Sequence, residues 1–206
     1  MSFFPILLDL DGLPCLVAGG GRLGLRKAKL LLENGADVTV IAPEICAELA
    51  SLRVKCLRRT VAEEDVADYS LVVDATGDAS AQRILSEACR ARRIPFNSAC
   101  RVDDGSAIFP AVHRKGRTVL AVSTLGASPI VSTRLRDALA AHLPEQIDAI
   151  TDAMAALRPR SRASFANQSQ RRDFLRRCLD EMLTLGRPLS EAETDAIIQK
   201  LKENRK

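Results

Sequence analysis

The segment Val17-Ala-Gly-Gly-Gly-Arg-Leu-Gly-Leu-Arg-Lys27 carries the densest chemical signal in this chain. Gly19, Gly21 and Gly24 fit the spacing G-x-G-x-x-G. Glycines so placed allow a tight turn and a close backbone approach to a pyrophosphate, whose charge is met by the free N–H groups opening the next helix. The chemistry is dinucleotide binding, with Gly19, Gly20, Gly21, Arg22 and Leu23 as the contacts. The same pattern also suits a plain strand-to-helix turn. A dinucleotide site wants an acid for the adenosine ribose at the end of the second strand. The run Val40-Ile41-Ala42-Pro43 reaches its first carboxylate at Glu44, slightly late. No basic pair follows at once to hold a 2′-phosphate, which favours NAD over NADP. Thr76-Gly77-Asp78 falls where an open α/β sheet places ligand contacts, and Asp78 equally suits a helix N-cap. Of the two histidines, His113 is a candidate base or metal ligand, because imidazole titrates near neutrality. His142, in Ala-Ala-His-Leu-Pro, reads as a helix C-terminal cap.

A loop of this kind needs a strand before it and a helix after it. Apolar runs at 13–19, 36–42, 54–57, 69–75 and 95–99 read as strands. Helical patterns fall between them at 24–33, 43–52 and 79–92. Strands alternating with helices imply right-handed crossovers and a parallel sheet. The pattern then changes. Residues 107–113 and 118–123 flank a turn-like Arg114-Lys115-Gly116 and read as a hairpin. Helices follow at 130–143, 144–157, 164–185 and 190–201; Ser128-Pro129 opens the first, and Ser190 with Glu193 forms a capping box for the last. The expected fold class is α/β, a Rossmann-type parallel sheet followed by a small β connector and a helical C-terminal domain, divided at 1–112, 113–143 and 144–206.

Composition narrows the function classes. With 47% hydrophobic and 27% charged residues, the 206-residue chain reads as an ordinary globular protein. Aromatics make up only 3%, which argues against base-stacking RNA modules. The net charge of +4 is spread over several Arg/Lys patches, which suits a small polyanion as well as it suits nucleic acid. No run approaches the ~18–20 apolar residues of a membrane span. The start, MSFFPILLDLDG, lacks a basic region before its apolar run, so no signal peptide and a cytoplasmic location are expected. Six cysteines without a CxxC pair read as separate thiols.

Residues 4–43 resemble the opening of the precorrin-2 dehydrogenase family, the NAD-dependent domain of siroheme synthases and their stand-alone relatives. The family's Arg-Lys after the glycine loop matches Arg26-Lys27, and its Ala-Thr-Asp-type loop matches Ala75-Thr76-Gly77-Asp78. Its Pro-x-Asn strand matches Pro95-Phe96-Asn97, adding Asn97 to the cofactor contacts. Its Phe-Pro-Ala and Ser-Thr-x-Gly-x-Ser-Pro segments match 109–111 and 123–129. The resemblance implies oxidation of precorrin-2 to sirohydrochlorin with hydride passing to NAD, in some members followed by insertion of ferrous iron. It also implies a homodimer, with the β connector and helices building the interface. A macrocycle with eight carboxylates calls for a basic cleft, for which Arg101, Arg114, Lys115 and Arg134 are the candidates, with Thr124 and Ser128 as further substrate contacts. With Lys206 as the last residue, no fused methyltransferase domain is expected.

One departure bears on mechanism. The family's Asn-Val-x-Asp places an aspartate implicated in catalysis where this chain has Cys100. Asp103 or Asp104 could replace the carboxylate; Cys100 could act as base or metal ligand; or the position is dispensable, or the protein binds without efficient turnover. His113, where some members also carry a histidine, is the next candidate base. The alternative to an enzyme is a non-catalytic carrier or sensor binding NAD or sirohydrochlorin.

Overall fold

The computed structural model describes residues 3–99, 101 and 104–203. The chain divides into two compact units, one running to Phe109 and including Leu125–Ala127, the other comprising Pro110–Thr124 and the chain from Ser128.

The first unit is a five-stranded parallel sheet. Its elements are β1 (Pro14–Ala18), α1 (Arg22–Leu32), β2 (Asp37–Ile41), α2 (Ala47–Ala50), β3 (Lys55–Leu57), a 3-10 turn (Glu63–Val66), β4 (Leu71–Asp74), α3 (Ala79–Arg92) and β5 (Phe96–Ser98). The strand order is β3-β2-β1-β4-β5. Ala18 lies opposite both Ile41 and Asp74, and Asp74 lies opposite Ser98. With Ile41 opposite Leu57, all five strands finish level, and the loops after β1, β2, β4 and β5 all leave one edge. Alternating strand residues serve two cores. Cys15, Val17, Val38, Val40 and Val73 pack with Ala28 and Leu31 of α1. Leu16, Ala18, Val72 and Phe96 pack with Leu85, Ala88 and Cys89 of α3. Helices thus cover both faces, as a parallel sheet requires.

The second unit opens with the antiparallel hairpin β6 (Ala111–Lys115) and β7 (Thr118–Val122). Helices α4 (Pro129–Ala141), α5 (Ile147–Ser164), α6 (Gln168–Leu185) and α7 (Glu191–Glu203) follow. Ile150, Leu157, Phe165, Phe174, Cys178, Met182, Ile198 and Leu201 form its core, with the Phe165 and Phe174 rings 5.5 Å apart. Ser128 caps α4 by accepting from the Val131 N–H at 3.3 Å, and His142 is the C-cap, its Nδ1 2.7 Å from the Ala138 carbonyl.

Five boundaries differ from the sequence expectation. The helix expected over 43–52 shrinks to α2, because 43–46 runs beside the glycine loop and the Cys46 N–H donates to the Gly20 carbonyl. The strand expected from 107 starts at Ala111: the N–H groups of Ser106 and Ala107 both donate to the Phe96 carbonyl, tying them to β5. The hairpin turn falls one residue later, at Gly116 with φ +54° and Arg117. Helix α5 runs through Pro159 to Ser164, since Leu157 and Ser161 on either side are buried and hold both halves on one core. Helix α6 consequently starts later, capped by Asn167, which accepts from the Gln170 N–H at 2.9 Å.

Candidate functional site

The glycines after β1 are held there by geometry. A Cβ on Gly19 (φ +119°) would lie 2.4 Å from the Ala75 carbonyl oxygen, one on Gly20 2.0 Å from the Glu44 carbonyl oxygen, and one on Gly24 2.0 Å from the Gly19 carbonyl oxygen. These three let β1, α1 and the neighbouring loops close on one another. Gly21 is different: a Cβ there meets nothing within 4 Å. It is the N-cap of α1, no side chain caps the helix, and no acid occupies its first turn. The N–H groups at this helix start therefore face open space with their partial positive charge uncancelled.

That start opens on a cavity of about 920 Å³. The backbone of Gly19–Gly21, the 41–46 segment with Glu44 and Cys46, Thr60, Val61, Thr76 and Asp78 line it, and among the described residues no lysine or arginine does. Asp78 caps α3, accepting from the N–H groups of Ser80 at 2.6 Å and Ala81 at 3.0 Å. Those bonds, Ala81's first, hold its carboxyl below the usual range. Gly77 (φ +71°) turns the loop between Thr76 and Asp78.

Two groups matter here to which the sequence reading assigned no role. Asp74, only 1% exposed at the end of β4, accepts from the Thr76 N–H at 3.0 Å and hydroxyl at 2.7 Å, fixing the loop's shape. The signal was available as an acid ending an otherwise apolar strand. Lys27, on α1, donates to the Asn97 side-chain oxygen at 3.0 Å and sits 4.4 Å from the Phe109 ring centre. Burial, with a smaller contribution from Arg26, pushes its ammonium down to about 8. Asn97 is itself buried, its amide nitrogen donating to the Ala107 carbonyl at 2.9 Å. It faces Lys27 and is not among the residues lining the large cavity.

Arg101 and Asp104 belong to a second cavity, of about 550 Å³, along α3. The Gln82 amide donates to Asp104 Oδ2 at 2.6 Å, and the Ser86 hydroxyl donates to the Asp104 carbonyl at 3.1 Å. Cys100 and Asp103 lie outside the described residues. In the second unit, His113 is half-buried and Arg114 exposed; as neighbours on β6 they point to opposite faces. Lys115 donates to the Glu145 carbonyl. The Thr124 hydroxyl donates to the Ser128 carbonyl and accepts from the Ser128 N–H, both at 3.0 Å, so the two residues shape the turn into α4. Arg134 is exposed on α4. Buried Cys15, Cys89 and Cys178 have thiols pushed up to about 11, 12 and 11 by desolvation, which leaves them protonated and unreactive. Among the described residues, no group of three or more His, Cys, Asp or Glu could hold a metal ion.

Residues 6–111 match a family model described as "Putative NAD(P)-binding". The chain is 35% identical over 199 residues to a siroheme synthase of Nitrosospira multiformis, an alignment covering 91% of this chain and 42% of that protein. It is 31% identical over 189 residues to a precorrin-2 dehydrogenase of Priestia megaterium, covering 89% and 92% respectively. It thus spans about two-fifths of the siroheme synthase (42%) and nearly all of the dehydrogenase (92%). Among solved structures, SirC, a precorrin-2 dehydrogenase, matches with a TM-score of 0.71 and 28% identity, over 98% of this chain and all of that one. The parallel sheet, the open helix start after a glycine loop and the matching family model define a Rossmann-type NAD(P)-binding protein. The chain belongs to the precorrin-2 dehydrogenase family.

Proposed function

We propose that this chain is an NAD-dependent precorrin-2 dehydrogenase, oxidising precorrin-2 to sirohydrochlorin in siroheme biosynthesis. The observation that carries this reading is the match to a precorrin-2 dehydrogenase along 92% of that protein's length. The residues present fit the dinucleotide: Gly21 leaves the start of α1 clear for a pyrophosphate, and a 920 Å³ cavity adjoins it. When bound, NAD supplies the hydride acceptor. NAD is favoured over NADP because Glu44 lies on the cavity wall and, among the described residues, no lysine or arginine does.

In this reading the N–H groups at the start of α1, from Arg22 and Leu23 onward, orient the pyrophosphate, Glu44 meets the adenosine ribose, and Thr76 and Asp78 shape the floor. Dehydrogenation also releases a proton, and a positioned base contributes roughly 10²–10⁴-fold. Asp104 is the carboxylate for that role. The Gln82 amide, donating to one of its oxygens, fixes the direction of the carboxylate. His113 is the next candidate. Arg101, Arg114 and Arg134 are the guanidinium candidates for substrate carboxylates, and Lys115 the ammonium candidate.

The protein works as a cytoplasmic homodimer in this reading. Ile130, Val131, Leu135 and Leu139 are all exposed on α4, and solvent-facing apolar residues at this spacing mark a surface that another copy covers. The deciding experiment is an anaerobic assay with enzymatically prepared precorrin-2 and NAD, following NADH and sirohydrochlorin absorbance together. Stoichiometric appearance of both supports the enzyme. No NADH, with tight sirohydrochlorin binding, replaces it by a carrier.

A further inference from the structure

The second cavity runs along one face of α3. Arg83, Ser86 and Arg90 follow one another at helical spacing on that face, and Arg101 stands on the facing segment. Arg83, Arg90 and Arg101 are exposed, and among the described residues none of the three takes part in an ion pair. Among the described residues, Glu87 and Asp104 are the carboxylates on the wall against three arginines, so that lining is net cationic. One Asp104 oxygen already accepts from Gln82, and among the described residues neither Asp104 nor Glu87 forms an ion pair with any of the three arginines.

The position of this cavity matters as much as its charge. Ser80, in the first turn of α3, lines both this cavity and the nucleotide cavity, so the two adjoin there. Any molecule that passes a hydride to the nucleotide has to lie next to it. Arg83 and Arg90 are two helical turns apart, which separates their backbone positions by ~10 Å. One phosphate or one carboxylate does not span that distance. A flat molecule carrying carboxylates around its rim does.

We infer that this trough is the seat for the substrate's peripheral carboxylates, with Arg83 and Arg90 as an anchoring pair and Arg101 as the third contact. The inference rests on the dehydrogenase reading for the identity of the substrate. It adds two specificity residues to that reading and makes Gln82 and Ser86 positioning residues for Asp104.

The test uses the full chain and a stable probe, a uroporphyrin-type octacarboxylate, with the coproporphyrin-type tetracarboxylate beside it. Binding is measured for wild type, Arg83→Gln, Arg90→Gln, the double variant and Arg90→Lys, at low and high salt, with NAD affinity measured in parallel. Each lost guanidinium contact is expected to weaken octacarboxylate binding roughly tenfold or more at low salt. The double variant should lose most of the salt dependence, Arg90→Lys should fall between, and NAD affinity should stay unchanged. The tetracarboxylate should bind more weakly and respond less. Octacarboxylate affinity equal to wild type in the double variant overturns the inference. So does an equal loss of NAD binding, which would mean that the helix itself had been disturbed. The dehydrogenase reading fails differently, when wild type binds the octacarboxylate yet forms no NADH from precorrin-2.

Discussion

At the scale of single residues, the glycine loop separates glycines kept for packing from one kept for a ligand. Gly19, Gly20 and Gly24 have backbone carbonyls where a Cβ would be, whereas Gly21 has open space. Gly21→Asp is therefore expected to leave the fold intact, because the added side chain touches nothing, while placing a carboxylate where a pyrophosphate has to pass. Circular dichroism should be unchanged and NAD titration should show no binding; retained affinity would make the loop a turn and nothing more. Lys27 gives a second residue-scale expectation. Its ammonium is half-buried between Asn97 and Phe109 and is held down to about 8. Since folding lowers this pKa from 10.5, the charge costs stability at every pH below about 8, and that cost shrinks as pH rises from 8 towards 10.5. An NMR titration of the Lys27 side chain, assigned with Lys27→Arg, should show a midpoint near 8; a midpoint near 10.5 would mean the site is wet.

At the scale of elements, local signals that act within a few residues were legible and those decided by tertiary contact were not. Ser190 and Glu193 form the capping box the sequence suggests: the Ser190 N–H donates to Glu193 Oε2 at 2.7 Å and its hydroxyl accepts from the Glu193 N–H at 3.3 Å. Removing that hydroxyl with Ser190→Ala should lower stability by about 1 kcal/mol, read from thermal unfolding followed at 222 nm; an unchanged midpoint would show that α7 is held by its buried Ile198 and Leu201 alone. Strands β1, β2 and β4 and helix α3 were equally clear, because apolar runs and an aspartate N-cap are local. The start of β6 was not, since only pairing with Phe96 reveals that Ser106 and Ala107 belong beside β5. Nor was the run of α5 through Pro159, where burial on both sides outweighs one missing hydrogen bond. The site followed the same division. Glycine spacing announced the loop, but Lys27 meets Asn97 across 70 positions of sequence, and the Gln82–Asp104 bond spans 22. No spacing rule reaches that far.

At the scale of the whole molecule, α4 presents to solvent what a folded chain ordinarily hides. Ile130 is 81% and Leu139 52% exposed, with Val131 and Leu135 on the same helix. If a second copy covers this helix, Leu135→Asp should convert a dimer to a monomer in sedimentation equilibrium, since a lone carboxylate in an apolar interface is strongly disfavoured. Monomeric wild type, or a variant that stays dimeric, would place the contact elsewhere. The distribution of thiols across the chain has a practical consequence. Cys15, Cys89 and Cys178 are sealed into the cores, while Cys46 is half-buried on the wall of the nucleotide cavity and Cys56 is half-buried away from it. The native protein thus carries its own occupancy reporter. Alkylation of Cys46 should slow when NAD is added, with Cys56 as an internal reference whose rate holds steady, and peptide mass spectrometry would read both sites in one sample. Equal rates with and without NAD would show that the dinucleotide leaves that wall uncovered.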